Sequence, residues 1–369
     1  MPTSAKQWVH KIASLPLPSK VRIMNVCGGH ERTLTQAGVR GVLPTNLELI
    51  PGPGCPVCIC PEEDVYEAIQ VALNEPVIMV AFGDMLRVPI NGPKKDPRSM
   101  EQAKAAGADI RPIASPTEAV RIAKANPDTE IVFFAAGFET TTAPVAAMLA
   151  EGVPDNLSVL LSGRRTWPAV AMLLESEQPG FEALIAPGHV STVMGPEEWG
   201  GVVDRYQMPV AVAGFTPESL LAAIYSTLRQ LLEEHYFLDN CYPAVVRPGG
   251  NKAAQQQLAQ VMDVVDAKWR GVGKIPASGF AIRESYGAHD ARNHFPGYAD
   301  ESRKRAGEMP PGCDCARVVL GKIYPNECRL YGVACSPRKP IGPCMVSDEG
   351  ACRIWWAGGV REGAAPRVA

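Results

Sequence analysis

Short apolar runs punctuate the first two thirds of the chain, separated by stretches whose apolar residues recur every three or four positions. The runs Val21–Val26, Leu47–Ile50, Pro76–Phe82, Ile110–Ala114, Glu130–Ala136, Leu157–Leu161, Ala183–Ala186 and Met208–Ala213 predict buried strands. Between them, Pro61 followed by acidic residues opens a helical stripe of Val65, Ile69 and Leu73. A second helix is predicted over Ser99–Ala106. A third is opened by Ser115, which can cap, with Pro116 in its first turn. Such alternation predicts parallel sheets flanked by helices. The units are too many for one small sheet and fit two α/β halves, at 1–115 and 116–215. From Thr216 the pattern turns helical, with Leu220, Leu221, Ile224, Leu228, Leu231 and Leu232 on one face. A further amphipathic helix is predicted over Ala253–Trp269, and Trp269–Gly279 is turn-rich. The end, Glu362–Ala369, has the composition of a frayed tail. No repeat, low-complexity tract or long linker breaks this plan.

The third region, 216–369, carries the strongest chemical signal. Six of the eleven cysteines fall between Cys313 and Cys352, among glycines and prolines that favour loop. Four of them, Cys313, Cys328, Cys335 and Cys352, fit a C-x14-C-x6-C-x16-C frame, with Cys315 and Cys344 interleaved. A zinc ion or an iron–sulfur cluster would organise such a loop, and with no histidine after Cys313 the site would be all sulfur. Ordinary buried thiols are the bland alternative. They do not account for six cysteines in so Pro/Gly-rich a segment.

Composition narrows the setting. A net charge of −3 gives no reason to expect nucleic acid or an anionic membrane as partner. No apolar run approaches the roughly 20 residues of a membrane helix. The N-terminus lacks a compact apolar segment of the secretory kind. Eleven cysteines, an odd number, without an export signal imply a cytoplasmic protein that uses them for metal or redox chemistry.

The strand at Val21–Val26 runs directly into Cys27-Gly-Gly-His30, which puts two possible metal ligands at a sheet end. Cys55-Pro-Val-Cys58 is a C-x-x-C just before a helix, a spacing for a reversible disulfide or for half a zinc site. Cys60 follows closely. Glu139, Thr140 and Thr141 follow the strand at Glu130–Ala136, and His189 follows the strand at Ala183–Ala186. They are candidate acid, base or hydrogen-bonding groups. Equally, the threonines could be caps and His189 a satisfied core residue.

Taken in order, CGGHE at Cys27–Glu31, GPGCPVC at Gly52–Cys58, FGDMLRVP at Phe82–Pro89, GFETT at Gly137–Thr141, PGHVS at Pro187–Ser191 and the four-cysteine frame resemble the HypD family. That family comprises scaffold proteins that assemble the iron–cyanide–carbonyl group of nickel–iron hydrogenases. The resemblance runs from about Val21 to Ala357. It implies an α/β fold: two Rossmann-like α/β domains with parallel sheets plus a mainly helical, cysteine-rich iron–sulfur C-terminal domain. It further implies a 4Fe–4S cluster on Cys313, Cys328, Cys335 and Cys352, and redox dithiols at Cys315/Cys344 and Cys55/Cys58. Cys27, near His30, would hold a transient mononuclear iron carrying cyanide and carbonyl, shared with the partner HypC. Cyanide would come from HypE, with HypF upstream, and Glu139, Thr140, Thr141 and His189 would line the cleft between the α/β halves. Such a protein is a maturation scaffold with redox activity rather than a conventional turnover enzyme. Cys60 has no place in the family pattern, and nothing in the sequence assigns Cys60 or Cys241 a role. Two competing expectations are a thiol–disulfide oxidoreductase, which has no use for Cys27-Gly-Gly-His30, and a zinc-stabilised interaction protein.

Overall fold

The computed structural model describes residues 4–93, 95–299 and 309–361. Every predicted apolar run forms a strand: β1 Val21–Asn25, β2 Leu47–Pro51, β3 Val77–Phe82, β4 Ile110–Ile113, β5 Glu130–Gly137, β6 Leu157–Arg164, β7 Ala183–Pro187 and β8 Val210–Ala213. Three strands join them: β9 Leu238–Asn240, β10 Met262–Trp269 and β11 Gly273–Ile282. The predicted helices also form. Pro61 precedes Glu62–Asn74, Ser99 caps Met100–Ala105, and the Thr216 side chain caps Pro217–Glu233. Ser115 precedes the helix Pro116–Ala125 but makes no side-chain cap bond. The tail expected at Glu362–Ala369 lies outside the described residues.

Two sheets result, and they do not follow the consecutive thirds 1–115, 116–215 and 216–369. Among the described residues, one sheet has the order β2-β1-β7-β8-β9 and the other β10-β11-β6-β5-β3-β4. The first sheet is parallel throughout. It therefore unites the start of the chain with strands more than a hundred residues later. The second keeps a parallel core of β4, β3, β5 and β6, so strands on both sides of Ser115 belong to it. Burial periodicity marks a strand but not the edge it joins, so the interleaving is invisible in the pattern.

The helix expected over Ala253–Trp269 ends at Val261, and the remainder is β10. The segment expected to be only turn-rich supplies β11, which pairs antiparallel with β10 and with β6. The apolar residues Val261, Val264, Val265 and Trp269 suit a helical period, but β-branched Val264 and Val265 pack better on a pleated edge. The turn itself is real: Gly271 and Gly273 both have positive φ.

Helices bury both faces of the parallel strands, whereas β10, at the edge of the second sheet, leaves one face open, with Val264 49% exposed. One apolar core is continuous from Cys55, Cys58 and Cys60 through Trp269 to Cys315, Cys328, Cys335, Cys344 and Cys352. The C-terminal cysteine segment is thus packed against the α/β body. Among the described residues no helix is long and apolar enough to cross a membrane.

Candidate metal and thiol centre

β1 and β2 run parallel with Asn25 opposite Pro51, so the residues following each emerge at the same sheet end. Cys27 lies at the start of the helix Gly28–Gln36, and Cys55 opens the short helix Pro56–Ile59. The two loops touch. Gly28 N–H donates to Gly54 O at 3.3 Å, and a Cβ on Gly54 would lie 2.5 Å from Cys27 Cα. A Cβ on Gly28 would lie 2.3 Å from Glu349 O, so the C-terminal segment closes on the same point. Cys55 and Cys58 form a disulfide with Cα atoms 5.3 Å apart. Cys27, Cys55, Cys58, Glu31, Val319 and Glu349 are among the residues that line one narrow pocket. Burial of its sulfur, reinforced by the Glu349 carboxylate, pushes the Cys27 thiol up to about 12. Backbone N–H groups of Gly29 and His30 point at that sulfur. The sulfur therefore rests as a neutral thiol.

His30, three residues on, turns away from this pocket into the protein. It is fully buried, with Nδ1 3.0 Å from Asn25 Oδ1 and Nε2 3.0 Å from Ala213 O. Burial pushes it down to about 3, so the ring is neutral and can donate to only one of these oxygens. Both nitrogens face protein, which makes His30 a brace between β1 and β8. Glu31 is a second brace. Its buried carboxylate accepts from Trp355 Nε1 at 2.9 Å and pairs with Arg40 at 2.7 Å, tying the helix Ala351–Ala357 to the CGGHE loop.

His189 is exposed and stacks on Phe215 with ring centroids 3.7 Å apart; His30 meets the same ring at 4.8 Å. The neighbouring strands β1, β7 and β8 bring these three residues together. Partial desolvation of its ring against Phe215 lowers the His189 pKa. Glu139, Thr140 and Thr141 stand apart on the second sheet, after β5. Thr140 is exposed, whereas Glu139 is fully buried and accepts from Thr166 N at 2.7 Å and Thr166 Oγ1 at 2.8 Å. Burial raises its pKa. Burial and the charge of Glu139 push the nearby Glu198, which follows β7, up to about 8.

All six C-terminal cysteines converge. Cys313 and Cys315 have sulfurs 3.3 Å apart, and Cys315, Cys344 and Cys352 hydrogen-bond among themselves. Those bonds pull the Cys352 thiol down to about 6 and hold Cys344 far above the usual range. Backbone N–H groups point at three sulfurs: that of Cys315 at Cys313, that of Leu330 at Cys328, and those of Ile341 and Gly342 at Cys335. Such donors stabilise thiolate ligands. A Cβ on Gly342 would lie 2.4 Å from Cys313 Sγ and 2.5 Å from Cys315 Sγ, so only glycine fits there. Among the described residues no three His, Cys, Asp or Glu side chains are arranged around a single ion. The all-sulfur set and its N–H donors are compatible with a thiolate-held metal or iron–sulfur group.

Cys60 is buried with its sulfur 3.4 Å from Ser162 Oγ, and burial pushes it up to about 12. Cys241 bonds Asp239 at 3.6 Å. Several residues that build the site carried no signal of their own in the sequence: Glu349, Phe215, Thr166 and Trp355. Asp84 and Arg87 did stand in a quoted motif, FGDMLRVP. Asp84 accepts from Ser347 Oγ at 2.8 Å and Arg87 donates to Pro337 O at 2.8 Å, so that motif docks the cysteine segment.

A family model for HypD, described as "Hydrogenase formation hypA family", matches residues 3–359. The chain is 40% identical over 350 residues to the hydrogenase maturation factor HypD of Rhodobacter capsulatus, covering 92% of this chain and 90% of that protein. Against the hydrogenase maturation factor HypD of Azotobacter vinelandii it is 37% identical, over 99% of this chain and 97% of the relative. Against that of Escherichia coli K12 it is 38% identical, over 91% and 88%.

Proposed function

The chain belongs to the HypD family of hydrogenase maturation factors, and from that premise we propose that it is the scaffold on which the iron–cyanide–carbonyl group of nickel–iron hydrogenase is built. The observation that carries this reading is the meeting of Cys27, the Cys55–Cys58 disulfide and the C-terminal segment at one pocket. Cys27 holds the iron as cargo, together with a thiolate of the partner HypC. Glu349 beside the sulfur favours an incoming cation and accounts for the proton that the thiol releases.

Cyanide arrives from HypE as a thiocyanate, with HypF upstream. Splitting the sulfur–carbon bond into cyanide and a thiolate takes two electrons, which a dithiol at Cys55/Cys58 supplies as it closes to the disulfide. Cys313, Cys328, Cys335 and Cys352 hold a 4Fe–4S cluster, which supplies single electrons when bound. Cys315 and Cys344 form the dithiol beside it. Their donor set and backbone N–H groups fit that group. His30 positions the Cys27 loop rather than binding iron. His189 with Phe215 offers an exposed ring stack for a partner's tail. Glu139 orients Thr166, and Thr140 and Thr141 begin the helix beside it. The work is cytoplasmic.

The test is anaerobic co-purification with HypC, followed by infrared spectroscopy and iron analysis. Wild type shows cyanide and carbonyl bands and one iron beyond the cluster. Cys27→Ala keeps the cluster and loses both the bands and the extra iron. Bands at wild-type intensity in Cys27→Ala would return the case to a thiol–disulfide oxidoreductase.

A further inference from the structure

Arg270 stands in the turn between β10 and β11, at the seam between the two thiol sites. Its side chain is fully buried. Its backbone N–H donates to Ile59 O at 3.0 Å, the last residue of the helix that carries Cys58. Nη2 donates to Pro89 O at 2.7 Å and meets Glu62 Oε2 at 3.3 Å. Nε and Nη1 are buried and have no partner among the described residues.

A buried guanidinium with two unpartnered nitrogens carries an uncompensated desolvation cost. That cost calls for a compensating anion. The neighbouring element is the cysteine segment: a Cβ on Gly271 would lie 2.9 Å from Ala316 Cβ, inside the helix Cys315–Val319. Glu62 answers one edge of the guanidinium only.

We propose that the unpartnered Nε and Nη1 of Arg270 are charge and hydrogen-bond partners of the anionic, thiolate-ligated iron–sulfur group held by the C-terminal cysteines. Arg270 is a positioning residue that raises the group's reduction potential and ties it to the helix of Cys58. The inference rests on the cluster reading given under the proposed function. A cluster gains one negative charge on reduction, so a fixed cation stabilises the reduced form more than the oxidised one.

The test is a redox titration of the full chain, purified without oxygen and followed by visible absorbance and paramagnetic resonance. Arg270→Gln lowers the ratio of reduced to oxidised cluster by about tenfold at the wild-type midpoint, a shift of about 59 mV for one electron. Glu62→Gln moves the midpoint the other way, because it frees more of the positive charge. Arg270→Lys, which keeps the charge, stays near wild type. An Arg270→Gln protein with intact cluster and unchanged midpoint overturns the proposal. Should Arg270→Gln fail to load iron, Arg270→Lys decides. A loaded Lys variant near the wild-type midpoint supports the charge role, and an unloaded one reduces Arg270 to a fold support. A wild-type chain without iron and sulfide overturns the cluster reading itself, an outcome separate from any change confined to the variants.

Discussion

The thiols at the sheet end and the thiols of the C-terminal segment are mostly buried in both places but held by different means. Cys27 and Cys55 hang from β1 and β2, whose parallel ladder fixes their loops before any side chain is considered. Glycines then let the backbones approach to contact. The C-terminal segment has no such ladder. Its regular structure amounts to isolated bridges at Tyr331–Cys335 and Ser336–Lys339 and helices of three to seven residues. What replaces a ladder is sulfur packed on sulfur, plus anchors to the rest of the chain at Glu31, Asp84 and Arg87. A site on a sheet can lose a thiol and keep its shape. A site made of its own thiols cannot.

The sharpest break in this comparison is Cys328→Ala. Removing one thiol from the C-terminal set abolishes nearly all bound iron and sulfide, and the segment loses its cooperative unfolding, at a cost on the order of several kcal/mol. Metal analysis and calorimetry measure both. A brown protein with normal iron and sulfide would remove Cys328 from the ligand set. On the sheet side, Gly54→Ala forces a methyl against Cys27 Cα and costs about 1–3 kcal/mol. It displaces the Cys27 loop and leaves the C-terminal iron unchanged. Equal loss of iron in both variants would mean that the two sites are one cooperative unit.

The smallest effect is a slope. Burial lowers His30 from the usual 6.5 to about 3, so the fold favours the neutral ring. That stability is complete above pH 6.5 and is lost as pH falls toward 3, by about 1.4 kcal/mol per unit. Urea unfolding of wild type and His30→Gln between pH 6 and pH 4 reads the difference, with the variant showing the shallower dependence. Parallel curves would show that the ring is not held neutral.

From sequence alone, the eight apolar runs, the helix starts at Pro61, Ser99 and Thr216, and the concentration of cysteine after Cys313 were all legible, because burial and capping act on neighbouring residues. So were the motif residues that mark the family. The order of strands was not: β1 pairs with β2 and β7, and β3 goes to the other sheet, a choice made by long-range packing that leaves no local trace. Neither was the hairpin of β10 and β11, whose apolar spacing suits a helix until β6 offers an open edge. The role of His30 was decided by Asn25 and Ala213, one beside it on β1 and one 183 residues away, and together they convert an apparent ligand into a brace. Position along the chain places a side chain on an element. What that side chain faces depends on which other elements the fold brings up against it.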